Sequence, residues 1–584
     1  MKSRRPLSPP SRTVSWSFNW IEIWFDKHLP PSIPNALDGT AGIRRSLPLM
    51  QEGGARELEE FDLPGWKVER GSTIGVARSE RMASEKTDLH SRVSTGMSGL
   101  DNILGGGLDP DRLYLVEGTP GSGKTTLALQ FLLDGVRRNE KVLYITLSES
   151  EPELRLVAER HGWSLDGVSI FQLVPPEASQ GPDHEVTLFH PSEVELGETT
   201  KMIFEQVRRN EPVRVVFDSL SEMRLLAQNS LRYRRQILAL KHFFAGRKCT
   251  VLLLDDLSSR AEDLQLHSIA HGVISLEQVA LDYGADRRRL RVMKMRGIPF
   301  RGGYHDFKIE HGGLSIFPRL IAAEHHKEFH EEPISSGCEG LDALLGGGLH
   351  RGTSALLIGG AGVGKSTVAL AYAVAAAERG EHAIFFAFDE GLGTIFARAD
   401  SLGVALRGHV TAGRLAVQQI DPAEMSPGEF VALVRETVEK RNVRVVVIDS
   451  LNGYLNAMPN EKFLILQMHE LLSYLDQLGV VTILVLAQHG LMGPMQSPLD
   501  ISYLSDTVIM LRYFEADGLV RRALSVVKKR SGAHEHWIRE FRLAQGGLQV
   551  GPPLNQFRGI FTGTPTYVGE TKPLMSNSED AANT

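Results

Sequence analysis

Cysteine is nearly absent: Cys249 and Cys338 are the two thiols in 584 residues. Far apart in sequence, they supply neither a disulfide framework nor a zinc site, and they suit a reducing cytoplasm. Long apolar runs are missing too. No stretch approaches the roughly 18 residues that a membrane-spanning helix needs, and runs such as 443–448 have only strand length. Nor is there an excess of basic charge: 64 Lys and Arg face 71 Asp and Glu, for a net charge of −7. No global field therefore draws in nucleic acid, and no basic stripe interleaved with aromatics is present to stack single strands.

What the sequence does contain is a repeat. The pattern S-x-G-x-x-G-L-D-x-x-L-G-G-G-L occupies 94–108 and returns at 335–349. Gly96 maps to Gly337, Asp101 to Asp342 and Lys124 to Lys365, each at an offset of 241. A period this long marks two whole domains rather than a solenoid. The expected organisation is an extension over 1–85, a first domain over 86–323, a second over 324–560 and a flexible tail over 561–584. The extension is rich in Pro, Ser, Arg and Glu and lacks a sustained period apart from an aromatic island around Trp16, Trp20 and Trp24. It reads as disordered. Arg4 and Arg5 are followed by no apolar export segment, and Met82, just before the first organised stretch, is the expected true start.

Within each copy strands alternate with helices. In the first, 112–117, 141–147, 213–217 and 250–254 read as strands and 125–138 as a helix. In the second, 354–358, 382–388, 443–448 and 481–486 read as strands and 366–379 as a helix. These strands are almost wholly apolar, as strands covered on both faces are. The fold class is therefore α/β, with a mainly parallel twisted sheet flanked by helices in each domain.

The chemistry-bearing residues sit at strand ends. Gly118, Thr119, Pro120, Gly121, Ser122, Gly123, Lys124 and Thr125, with Thr126 behind them, fit G-x-x-x-x-G-K-[ST] between a strand and a helix. Gly359, Gly360, Ala361, Gly362, Val363, Gly364, Lys365 and Ser366, with Thr367, do the same. Glycines let backbone N–H groups curl around phosphate oxygens, and the helix N-terminus adds its positive end. The lysines then reach the β- and γ-phosphates of ATP, and Thr125 and Ser366 hold Mg²⁺. Asp218 and Asp449, each ending an apolar strand before Ser-Leu, are the second metal-side candidates.

Hydrolysis needs a carboxylate to position or deprotonate water. Glu149 in the first copy, and Asp389 with Glu390 in the second, follow the next strand and are the candidates. Late in each copy comes K-x-R: Lys294 with Arg296, and Lys528 with Arg530. Alternation along a strand places both cations on one side, where they can clamp an oxyanion. The other reading is an edge strand blunted by charge. The basic run 287–291 reads as a solvated hairpin strand.

Together these motifs resemble the KaiC family of RecA-like ATPases over about 93–565. The resemblance implies a homohexamer of stacked rings with ATP between subunits, the Lys-Arg pairs acting on a neighbour's nucleotide, and a second ring able to phosphorylate itself. Two departures bear on that. Where the family's clock proteins carry paired glutamates, this chain has Ser148 before Glu149 and Asp389 before Glu390. Where they carry adjacent Ser and Thr phosphoacceptors, it has Ser502 followed by Tyr503, with Ser505 a lesser candidate. The expected function is a cytoplasmic, KaiC-like signalling ATPase with Ser/Thr autokinase activity in the second domain, and signalling proteins as partners. Two alternatives stay open: a RecA/RadA-like DNA-dependent ATPase, and a scaffold that binds ATP with little turnover.

Overall fold

The computed structural model describes residues 92–173, 191–227, 229–257, 264–281, 283–456, 461–488, 503–516, 518–561 and 565–569. The extension over 1–85, its aromatic island and Met82 lie outside the described residues, as does Ser502.

The first domain builds one sheet from β1 (Leu113–Gly118), β2 (Val142–Thr146), β3 (Val168–Gln172), β4 (Arg214–Asp218), β5 (Thr250–Asp256), β6 (Gly272–Val279), β7 (Arg287–Met295), β8 (Tyr304–Glu310) and β9 (Gly313–Phe317). Their order is β3-β2-β4-β5-β1-β6-β7-β8-β9. Neighbours from β3 through β6 run parallel, and β6 to β9 form an antiparallel meander. After a short ribbon of β10 (Pro333–Ile334) and β11 (Leu349–His350), the second domain repeats the plan. Its strands are β12 (Ser354–Gly359), β13 (His382–Ala387), β14 (Leu415–Gln419), β15 (Val443–Asp449), β16 (Val481–Ala487), β17 (Thr507–Ala516), β18 (Leu519–Lys529), β19 (Arg539–Ala544) and β20 (Gly547–Pro553). They order β14-β13-β15-β16-β12-β17-β18-β19-β20. The sequence shows the parallel strands as apolar runs because helices cover both faces: β1, β2 and β4 are buried along their whole length. Alternate residues of β1 serve different cores, Tyr114 and Val116 on one face, Leu113 and Leu115 on the other.

The recurring opening motif is a fold-back device. Asp101 accepts from the Ser94 hydroxyl at 2.7 Å and from the Thr95 N–H at 2.8 Å. Asp342 repeats this with Ser335 at 2.5 Å and the Ser336 N–H at 2.8 Å. The last glycine of each triplet packs against backbone. A Cβ on Gly107 would lie 2.5 Å from the Val93 carbonyl, and one on Gly348 2.2 Å from that of Ile334. The first domain adds a fully buried arginine. Arg214 meets Glu140 at 2.5 Å and Asp134 at 3.1 Å, and donates to the carbonyls of Ser94 and Phe131 at 2.8 Å. With every arm partnered, removing one carboxylate would cost about 3–5 kcal/mol.

The meander qualifies two expectations. Strands β7 and β18 are interior in strand order, but β8 pairs only with 288–291 and β19 only with 522–524, so among the described residues Lys294 and Lys528 lie on stretches with a single strand neighbour. The basic run 287–291 is a hairpin strand with Arg291 exposed, but it is not solvated throughout. Arg287 is buried and donates to the carbonyls of Pro422 at 2.5 Å and Ala423 at 3.1 Å in the second domain. Arg289 pairs with Glu277 at 2.9 Å and lies over the Tyr304 ring. Nearby, Lys308 pairs with Glu429 at 2.6 Å. Charged residues cluster here because they join two domains. Near the C-terminus Thr566–Tyr567 pairs antiparallel with Phe557–Arg558, and Phe557 packs edge-on against Phe514 and Tyr567.

Candidate active site

Each phosphate-loop candidate bridges the end of a central strand and the start of a helix, β1 to Lys124–Arg137 and β12 to Lys365–Glu378. Gly123 and Gly364 stand at the helix N-caps with φ of 101° and 113°, a left-handed conformation that costs glycine nothing. The next lysine is buried in both. Lys124 Nζ donates to the carbonyls of Gly118 at 2.9 Å and Thr119 at 3.1 Å and pairs with Asp256 at 2.9 Å. Lys365 Nζ donates to Gly359 at 3.0 Å and Gly360 at 2.7 Å, and burial holds its pKa below the usual lysine value. Thr119, Pro120, Gly121, Ala361 and Gly362 face solvent at the loop crest, while Thr126 and Thr367 are buried beneath. Ser122 is fully buried and its hydroxyl has no partner among the described residues; Val363 fills its place in the second domain with an apolar side chain.

The strand-end aspartates come to the same place. Asp218 ends β4 and Asp449 ends β15, both buried. Burial raises the pKa of each. Hydrogen bonds from Tyr144 and Thr125 and the charge of Lys124 oppose that rise at Asp218, and Ser366 and Arg398 oppose it at Asp449. The paired threonine or serine hydroxyl and carboxylate in each site form the hard oxygen set that suits Mg²⁺.

The candidate carboxylates Glu149, Asp389 and Glu390 are held differently in the two copies. Glu149 is fixed through its backbone, with Thr146 bonding its N–H at 3.0 Å and its carbonyl at 2.8 Å. Its Oε2 is buried without a partner among the described residues. Burial, then the charges of Asp218 and Glu153, push its pKa up. Glu390 instead accepts from Arg398 through both oxygens at 2.6 Å, and Asp389 accepts from the Ser450 hydroxyl.

The Lys-Arg pairs do not join the phosphate loop of their own domain. Lys294 pairs with Val273, which pairs with Leu115, three residues before Gly118 and two strands away. Arg296 follows the end of β7 and bonds the His271 carbonyl at 3.1 Å. At about 3.3 Å per residue and 4.8 Å per strand, its backbone lies roughly 19 Å from Gly118, toward the other end of the sheet. The second pair repeats this: Lys528 pairs with Val508, opposite Leu356, with Gly359 at the far end of β12. The alternation argument holds in outline only. A bulge precedes the lysine in each strand, and each arginine lies just past the strand end. Both members still gather on one segment. Lys294 bonds the carbonyls of His267 and Ala270, and Arg296 that of Ser268. Lys528 bonds the Ser505 carbonyl and Arg530 that of Tyr503. Ser505 itself is fully buried, which removes its hydroxyl from contention as an exposed phosphoacceptor.

Three participants gave no motif in the sequence. The Tyr144 hydroxyl donates to Asp218 at 2.5 Å, where the second copy has Phe385. Asp256 pairs with Lys124, and Arg398 with Glu390. The available signal was the difference between the copies at otherwise matched positions.

Two mainly parallel sheets, each carrying a phosphate loop beside a buried strand-end aspartate, define a tandem RecA-like P-loop ATPase. The family model described as "ATPase: KaiC" matches residues 93–321 and again 334–555, and the chain belongs to that family. It is similar to a protein named circadian clock protein KaiC3 from Synechocystis sp. (strain ATCC 27184 / PCC 6803 / Kazusa), with 26% identity over 84% of this chain and 98% of that protein. It is also similar to the circadian clock oscillator protein KaiC of Picosynechococcus sp. (strain ATCC 27264 / PCC 7002 / PR-6), with 28% identity over 82% of this chain and 93% of that one. None of the described helices is long and apolar enough to cross a membrane.

Proposed function

We propose that this chain is a cytoplasmic signalling ATPase that works as a homohexamer, with ATP bound at Lys124 and Lys365 and each site completed by the next subunit. The observation that carries this reading is the position of Lys294, Arg296, Lys528 and Arg530 toward the sheet end opposite their own phosphate loops. Cations placed there serve a γ-phosphate only when a second copy brings its loop to them. In a ring every subunit does so once.

In this mechanism the loop N–H groups of 118–124 and 359–365 hold the phosphates, and the lysines turn from their own loop carbonyls to phosphate oxygens. Thr125 with Asp218, and Ser366 with Asp449, would hold Mg²⁺, which supplies charge neutralisation on the phosphate oxygens when bound. Glu149 takes a proton from the attacking water in the first site, and Asp389 or Glu390 does so in the second. In the second ring Ser502, as an alternative to water, accepts the phosphoryl group from a neighbour's ATP. The family membership supports ATP turnover, and the engagement of Arg287 and Arg289 within the protein argues against a nucleic-acid track.

The test is γ-labelled ATP with purified full-length protein, reading released phosphate, protein-bound label and bound nucleotide together, with light scattering before and after ATP. The reading expects phosphate release, two nucleotides per chain, one in Lys124→Ala or Lys365→Ala, and assembly with ATP. A monomer at saturating ATP overturns the hexamer.

A further inference from the structure

The two candidate sites differ at two matched positions whose charges cancel. The first domain has Ser148 and Val157; the second has Asp389 and Arg398. Val157 packs against the apolar core of its own domain. Arg398, on the helix Leu392–Ser401, turns its Nη1 to both carboxylate oxygens of Glu390 at 2.6 Å, with the two side chains 26% and 24% exposed. Its charge is also felt by Asp449 in the same cluster. The added carboxylate, Asp389, is taken up by the Ser450 hydroxyl. Among the described residues Glu149 has no such cation beside it, and one of its oxygens is buried without a partner.

We propose that Arg398 is a positioning residue that restrains Glu390 and so keeps ATP hydrolysis at the second site slow. This rests on both phosphate loops being ATP sites. In hydrolysis a water oxygen bonds to the γ-phosphorus, the bond from that phosphorus to the bridging oxygen breaks, ADP leaves with the electron pair, and one water proton passes to a carboxylate. A carboxylate whose two oxygens already accept from a guanidinium must give up that bond to take the proton. In the first site Glu149 meets no such competition, and its raised pKa, set by burial, favours proton uptake. The second domain has therefore traded an apolar contact for a restraint on its own water-activating group, while retaining the loop, the aspartate and the serine that hold nucleotide.

The experiment uses full-length protein carrying Glu149→Gln, which lowers the first-site background and leaves its nucleotide-binding residues in place. Arg398→Val, the first-domain residue, and Arg398→Gln are added separately, and bound nucleotide and phosphate release are measured on the same samples. The expected result is two nucleotides per chain and a rise in turnover of about 3- to 10-fold, within what freeing a general base can deliver. Adding Glu390→Gln to either variant should abolish the gain, which a merely structural role for Arg398 would not produce. An unchanged or lower rate with nucleotide still bound, or a gain that survives Glu390→Gln, overturns the proposal. Loss of nucleotide from the parent protein would instead overturn the assignment of the sites.

Discussion

The carboxylate of Asp306, in the first domain, accepts a hydrogen bond at 2.7 Å from the backbone N–H of Gly428, at the start of a helix of the second. Burial pushes the pKa of Asp306 up, and the Gly428 and Ser426 donors and the charge of Arg287 oppose that rise. Asp306→Ala leaves a helix-start N–H short of an acceptor and removes a negative charge felt by the buried Arg287, and should cost about 1–3 kcal/mol in urea unfolding. Asp306→Asn, which retains an acceptor oxygen, should cost less. Equal losses in both would show that the contact fills space only.

Glu149 should be the water-activating group of the first site. In a chain whose second site is silenced by Lys365→Ala, Glu149→Gln should lower phosphate release by about 10²-fold or more, with ATP still bound at Lys124. A base must be deprotonated to act, and this one has a raised pKa. The acid limb of the rate profile should therefore lie above the ordinary glutamate range and disappear in the variant. A profile unchanged by the substitution would assign the limb elsewhere.

Arg296 and Arg530 should act across the subunit boundary. An arginine supplied in trans to a γ-phosphate can be worth about 10³ to 10⁵ in rate, and a shared Lys-Arg clamp delivers less. Chains with Arg530→Ala and chains with Lys365→Ala should each be inactive in the second ring. Mixed before assembly, they should regain part of that activity, because some boundaries then pair an intact loop with an intact arginine. Absence of rescue in mixed rings would mean that the pair is structural.

Asp476 offers a stability test away from the nucleotide sites. Burial, with Asp506 nearby, raises its pKa to about 8, and its Oδ1 has no partner among the described residues. The unfolded chain ionises this group near pH 4. Between there and about pH 8 the folded state holds the extra proton, so its contribution to stability falls as pH rises and levels off above the folded pKa. Asp476→Asn should therefore stabilise the protein at pH 8 by about 1–3 kcal/mol and do little at pH 4. Melting curves at the two pH values check the sign.

Phosphorylation should be confined to one position in the second ring. Ser502 is the expected acceptor. Tyr503 carries its hydroxyl several ångströms farther from the backbone than a threonine would, and Ser505 is fully buried. Mass spectrometry after incubation with ATP should find phosphate on Ser502 and no ordered two-site cycle. Stoichiometric phosphate on Tyr503 would refute this.

The sequence by itself determined the duplication, the alternation of strands and helices, both phosphate loops and the strand-end aspartates. Each of these is encoded locally: glycines at fixed spacing for a tight loop, apolar runs for strands buried on both faces, a motif between a strand and a helix. Tertiary structure decided what depends on strand order and register. Nothing near Arg287 in the chain foretold that it would bond Pro422 and Ala423, 135 and 136 residues away. The same is true of Lys294. Alternation could place it beside Arg296, but only the pairing of β7 with β6, and of β6 with β1, sets it toward the opposite end of the sheet from Gly118. The grip of Arg398 on Glu390 also had no motif to announce it, because eight residues of turn and helix bring the two together. Local spacing fixes which groups a segment presents, and non-local packing fixes which of them meet.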